Sequence, residues 1–170
     1  MIWKIPDKSS WMATVELRRV DITNYKSLRA VSLTPNRFSV FVGRNGSGKS
    51  NLADALDFIA IAHSDGLEHA VARKGGYENI AHRKERRSRS AISFEIELVD
   101  QIKDTELAML AGRPNREKSE KISSIYFRHA FSIKTSGEGI RSEFKVVSEV
   151  LELIRTSVDL LPGSSPYDWI

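Results

Sequence analysis

Apolar and polar positions begin to alternate just after Met12: in TVELRRVDITNY, Val15 and Leu17, then Val20 and Ile22, mark a strand. A second strand is predicted over Leu28 to Leu33. Pro35 and Asn36 follow as turn residues, and then Phe38-Ser39-Val40-Phe41-Val42, an apolar run of buried-strand length. From Ser50 the period changes to three and four, and Leu52, Ala53, Leu56, Ile59, Ala60 and His63 fall on one stripe of a predicted helix, with Asn51, Asp54 and Asp57 facing outward or toward the preceding loop. Residues 64–90 are mostly polar and broken by Gly66, Gly75 and Gly76, with room for short helices around Leu67 to Ala72 and Tyr77 to Ala81. Period two then returns: Ile92, Phe94, Ile96 and Leu98 alternate with Ser93, Glu95 and Glu97, a strand with one wet face. After a short helical candidate near Asp104 to Leu110 and the charged linker GRPNREKSEK, a strand bearing Ile125, Phe127, Phe131 and Ile133 precedes the turn Ser136-Gly137-Glu138-Gly139. A further strand bears Ile140, Phe144, Val146 and Val150, so that residues 122–153 read as a hairpin, and the chain ends in the loop-like PGSSPYDWI.

Between the apolar run and the helix lies Gly43-Arg44-Asn45-Gly46-Ser47-Gly48-Lys49-Ser50, which fits the pattern G-x-x-x-x-G-K-[ST] in the context that a phosphate-binding P-loop requires. A triphosphate needs several donors converging on one point, and backbone N–H groups converge only where side chains are absent. Gly43, Gly46 and Gly48 allow that approach. The helix starting near Lys49 adds unpaired N–H groups and the positive end of its dipole. Lys49 supplies a mobile full charge for the β- and γ-phosphates, and Ser50 a hydroxyl suited to one ligand position of a magnesium ion.

Hydrolysis needs more than this loop. A Walker B strand would be a continuous apolar run ending in Asp, usually followed by Glu, and the later strands lack that form. Glu95, Glu97 and Asp100 sit in an alternating strand and read as a solvated face, and Asp159 in SVDLLPG follows only one clearly apolar residue.

Composition narrows the choice further. With 170 residues and 41% apolar content, the chain suits one compact domain and would be cramped as two. Having no cysteine, it offers no disulfide, thiolate metal site or cysteine nucleophile. Its net charge of +4 comes from 26 basic against 22 acidic residues, which neither demands nor excludes nucleic acid. The N-terminal MIWKIPDKSSWM has no apolar run of signal-peptide length, so a cytoplasmic location is expected, and Met12 could be the true start.

Two segments, LRRVDITNYKSLRAVSL and FSVFVGRNGSGKSNLADALDFI, resemble the N-terminal lobe of ABC-type ATPase heads of the SMC and RecF kind. The later YFRHAFSIKTSGEGIRSEFKVVSEVLEL is similar to the antiparallel sheet of RecF-like and related AAA-annotated ATP-binding proteins, bacterial defence ATPases among them. The resemblance implies an α/β fold of α+β character: a P-loop NTPase N-terminal lobe whose antiparallel sheet surrounds one P-loop helix, incomplete without a C-terminal lobe. Residues 1–12 are then expected as a disordered or non-native-start tail, 13–153 as the ATP-binding lobe, and 154–170 as a loop or truncated end. It implies ATP and Mg2+ as cofactors, with phosphate contacts from Gly43, Arg44, Asn45, Gly46, Ser47, Gly48, Lys49 and Ser50, the last also a magnesium ligand, and Asn51 beside the phosphates. The stretch Ala72 to Ile80 is similar to the arginine-bearing loop of SMC heads, which makes Arg73 a phosphate-contact candidate alongside its plain reading as part of a solvated loop. Lys26 stands in the same position. By the same resemblance, ATP hydrolysis requires the Walker B and signature motifs of a missing C-terminal lobe and a homodimer-like partner head. Adenine rather than guanine is implied by the resemblance, and no N-K-x-D pattern is present.

Two other readings compete. A small P-loop kinase fits the length, but kinases keep alternating strand and helix beyond the P-loop, whereas residues 90–153 are strand after strand. A non-enzymatic nucleotide-binding or interaction fragment fits the lack of catalytic motifs. The run Arg83, Lys84, Arg86, Arg87 and Arg89 is the densest basic patch and would suit a DNA backbone, or simply solvent. His63, His69, His82 and His129 do not bring three rings onto one helical face, and His129 reads as a hydrogen-bonded residue on the apolar side of its strand.

Overall fold

A computed structural model of the chain describes residues 15–36, 38–82, 90–103, 122–136 and 143–156. Strands β1 (Glu16–Tyr25) and β2 (Leu28–Leu33) come first, then helices α1 (Lys49–Ser64), α2 (Leu67–Arg73) and α3 (Tyr77–Ile80). Strands β3 (Ile92–Lys103), β4 (Ile122–Thr135) and β5 (Phe144–Thr156) complete the described elements. The strands form one five-stranded sheet in the order β2-β1-β3-β4-β5, antiparallel throughout. Chain order and sheet order thus differ only at β2, which is folded back on the outer side of β1.

The alternating pattern fixes which face packs. Register places Val31, Ile22, Phe94 and Phe131 side by side across four strands, and α1 lies over that row. Phe58 of α1 stacks on Phe94 at 5.0 Å, Phe94 on Phe131 at 5.1 Å, and the Tyr25 ring meets Phe58 at 5.8 Å. Tyr25 and Phe58 are fully buried and Phe94 is 1% exposed, so this aromatic group is the centre of the core.

Four expectations are corrected here. The apolar run at Phe38–Val42 forms no strand, and its side chains are exposed, Phe38 at 83% and Val42 at 88%. A strand of continuous apolar sequence needs neighbours on both edges and both faces, and no described strand pairs with this one. Second, the buried stripe of α1 is Leu52, Ala55, Phe58, Ile59 and Ile61, so Ala53 and Ala60 of the predicted stripe are exposed, and His63, also exposed, lies against His129 and Phe131 of the sheet. The helix is apolar on two sides, and the side with the bulky Phe58 is the one that meets the sheet.

The supposed solvated face of β3 is the third. Glu97 is only 8% exposed, and Glu95 accepts from Arg128 Nε at 2.6 Å, with Arg128 Nη1 reaching Glu152 at 3.0 Å. Register sets Arg19, Glu97, Arg128 and Glu152 in one row of alternating sign across β1, β3, β4 and β5. Hydrogen bonds from Arg128 to Glu95 and then Glu152 hold its guanidinium well above its ordinary pKa. Fourth, β5 runs on to Thr156, three residues past the boundary expected at 153. The helical candidate at 104–110, the linker, the turn residues 137–139, Ile140, the tail 1–12 and the end after 156 lie outside the described residues.

Candidate functional site

The loop 43–48 enters α1 through glycines that only glycine tolerates well: Gly46 has φ +83° and Gly48 φ +93°. A Cβ on Gly48 would sit 3.2 Å from Leu28 Cδ2, and one on Gly43 would sit 2.9 Å from Ser47 Oγ. The loop is therefore drawn tightly around its own Ser47 and against the β1–β2 turn.

Lys49 closes it. Its Nζ donates to Gly43 O at 2.6 Å, to Arg44 O at 2.9 Å and to Ser47 Oγ at 3.2 Å, placing a full positive charge within the loop. The first helical hydrogen bond after the cap is Leu52 N to Gly48 O at 2.8 Å, so the N–H groups of Lys49, Ser50 and Asn51 lie ahead of the helical ladder. Gly48 provides no side-chain cap and the first turn has no acidic residue. A 16-residue helix thus presents an uncompensated positive end beside an ammonium group, inside a loop whose glycines leave the backbone accessible. These donors fit a polyphosphate. Ser50, exposed in the first turn of α1, has the hydroxyl oxygen that a hard cation such as Mg2+ accepts.

Behind the loop stands a network that sequence reasoning missed. Asp54, expected to face outward or toward the preceding loop, is one-quarter exposed. Its Oδ2 accepts from Tyr25 Oη at 2.6 Å and Lys26 Nζ at 2.5 Å, and its Oδ1 from Lys74 Nζ at 2.7 Å. Lys74 also reaches Asp57 at 2.7 Å. Burial alone would raise the Asp54 carboxyl, yet the hydrogen bonds from Lys26, Lys74 and Tyr25 outweigh it and carry the pKa down to about 2. Burial, and then the hydrogen bond to Asp54, push the Tyr25 phenol far above its ordinary value. Burial works against the Lys74 ammonium, but Asp54 and Asp57 still raise it. The one available signal in the sequence was the spacing of Asp54 and Asp57 along α1, and it does not reveal that residues 28 and 20 positions away converge there.

The predicted site residues therefore divide into three groups. Gly43 to Asn51 are brought together at the mouth of α1, with Asn51 Nδ2 donating to Ser27 Oγ at 2.6 Å. Lys26 is nearby in sequence to Ser27 but holds Asp54. Arg73 ends α2 as an exposed side chain, and it is the next residue, Lys74, that reaches back to α1. Arg83, Lys84, Arg86, Arg87 and Arg89 lie outside the described residues. His129, expected as a hydrogen-bonded residue on the apolar side, pairs Nδ1 with His63 Nε2 at 2.9 Å and Nε2 with Glu149 at 3.1 Å. Among the described residues no group of three or more His, Cys, Asp or Glu could hold a metal ion, and no helix is long and apolar enough to cross a membrane.

An antiparallel sheet carrying a helix with a glycine loop at its N-terminus is consistent with an α/β P-loop NTPase lobe. Residues 16–156 match the AAA ATPase domain family, and the chain belongs to it. It is 32% identical over 87 residues to the DNA replication and repair protein RecF of Acidothermus cellulolyticus, a match covering 49% of this chain and 23% of that protein. It is 46% identical over 46 residues to the chromosome partition protein Smc of Methanocaldococcus jannaschii, covering 26% of this chain and 4% of Smc. RecF of Bacteroides fragilis is 43% identical over 51 residues, covering 29% and 14%. The matched part is less than a quarter of the length of each of these relatives. The chain is an AAA ATPase domain with partial similarity to RecF and Smc proteins.

Proposed function

We propose that Gly43 to Ser50 form a Walker A loop binding ATP with Mg2+. The backbone of Gly43 to Gly48 and the N-terminus of α1 receive the phosphates, Lys49 neutralises the β- and γ-phosphates, and Ser50 supplies a metal ligand. The observation that carries this reading is Lys49 Nζ held on the carbonyls of Gly43 and Arg44, beside an uncapped helix N-terminus. Asn51 stays at the edge of the phosphate site, and Arg73 would join it only by turning in from the end of α2.

In this reading the chain supplies the N-terminal portion of a RecF/SMC-like ATPase, and catalysis needs a C-terminal lobe with Walker B and signature motifs, together with a partner head. The exposed run Phe38, Val40, Phe41 and Val42, which no strand among the described residues covers, supports the need for a second layer. Nucleotide titration of the purified chain and of Lys49→Ala tests the site, since equal affinity of the two would refute the assignment. Turnover by this chain alone at an ordinary enzyme rate would refute the need for a second lobe.

A role on DNA is the second reading, supported by relatives named for DNA replication, repair and chromosome partition and by the basic run at residues 83–89. Binding that weakens steeply with added salt is the expected outcome, and salt-indifferent binding would remove it.

A further inference from the structure

The β1–β2 turn is held in a conformation that Lys26 does not favour, although Asn24 tolerates it. Asn24 has φ +59° and Lys26 φ +47°, both in the left-handed region and neither a glycine. Such backbone persists only where the surroundings over-determine it. Here Asn24 Nδ2 donates to Ala91 O at 2.9 Å, Lys26 N to Ile80 O at 2.7 Å, and His82 N to Asn24 O at 2.8 Å. From the other side, Asp54 takes the side chains of Tyr25 and Lys26.

What the turn touches is the phosphate loop. Ser27 Oγ accepts from Asn51 in the first turn of α1, and Leu28 Cδ2 lies against Gly48 so closely that a Cβ there would be 3.2 Å away. Asp54 therefore ties the same turn to α1 one helical turn beyond the point where that turn braces the loop. Lys74 brings the end of α2 to the same carboxylate. With Asp54 and Asp57 against Lys26 and Lys74, the charges balance, so the cluster neither attracts nor repels a phosphate strongly; its effect is geometric.

We infer that Asp54 is a positioning residue for the phosphate site, holding the Tyr25–Leu28 turn against Gly48 and Asn51 so that the first turn of α1 keeps its N–H groups aimed at the loop. This rests on the nucleotide-binding reading for its function but not for its structural effect, and the test separates the two.

The full chain is compared with Asp54→Asn, Asp54→Glu, Lys26→Met and, as a control, Asp57→Asn at the more exposed carboxylate. Amide exchange is followed at Leu52 and Ala53 in the first turn of α1 and at Phe94 and Phe131 in the sheet, and affinity is measured for Mg-ATP and for tripolyphosphate. Asp54→Asn is expected to speed exchange at Leu52 and Ala53 about tenfold, with the sheet amides unchanged, and to weaken both ligands by a similar factor. Asp54→Glu should restore part of each loss, and Asp57→Asn should change little. Should Asp54→Asn fail to fold, Lys26→Met removes one tie alone and should show the same pattern at smaller size. If wild type binds neither ligand while exchange at Leu52 responds, the nucleotide reading fails and the positioning role stands. If wild type binds but neither exchange nor affinity responds, or if sheet and helix amides accelerate equally, the positioning role is overturned.

Discussion

Phe58 of α1 stacks on Phe94 of β3 with ring centroids 5.0 Å apart and planes 23° from parallel. This contact joins α1 to the sheet, and both rings are buried. Phe58→Ala should cost about 3–5 kcal/mol, because it removes the transfer free energy of the ring and leaves a cavity between fixed layers. Chemical denaturation read by circular dichroism measures it, and a loss under about 1 kcal/mol would mean that α1 does not depend on this stack.

Gly46 and Gly48 both have positive φ, but they differ in what surrounds them. Gly46→Ala meets nothing within 4 Å and should cost about 1 kcal/mol from backbone conformation alone. Gly48→Ala adds a Cβ 3.2 Å from Leu28 and should cost more, with a larger fall in Mg-ATP affinity. Thermal melts and titrations of the two variants side by side give the comparison, and equal effects would contradict it.

Acid should loosen the Asp54 cluster. Its pKa in the folded chain is depressed to about 2, so its contribution to stability is complete above the ordinary carboxylate range and is lost as pH falls through that range toward 2. Wild type should therefore lose stability between about pH 4 and pH 2 more steeply than Asp54→Asn, which lacks the titrating group. Parallel denaturation curves over that window would show that Asp54 is not held as described.

Arg128 bridges Glu95 and Glu152 across three strands. Arg128→Met should destabilise by about 1–2 kcal/mol through loss of charge-assisted hydrogen bonds on partly exposed groups. The difference from wild type should narrow at about 1 M salt, where screening has weakened the pairs. A difference that salt leaves untouched would assign the effect to packing of the arginine stem instead.

The strands and the main helix were legible because each carries a repeat that only one secondary structure satisfies. Ile92, Phe94 and Ile96 alternate strictly, and their face is buried as that alternation requires. The rotation of α1 was not legible: its two apolar sides give nearly the same period, and only the presence of the Phe94 and Phe131 rings decides between them. Glu97 shows the same limit, since an alternating acidic position next to arginines of two other strands becomes buried, and sequence spacing cannot see those neighbours.

By itself, the sequence determined the glycine pattern of residues 43–50, the lysine and serine that follow it and the antiparallel character of the later strands, because each is dictated locally by backbone freedom or by period. Tertiary structure alone decided that Tyr25, Lys26 and Lys74 meet on Asp54, that Ser27 and Leu28 brace Asn51 and Gly48, and that the run before the loop stands without a partner strand among the described residues. Those features depend on segments far apart in the chain, and whether they meet is set by how the sheet and α1 pack, a free energy that no local pattern contains.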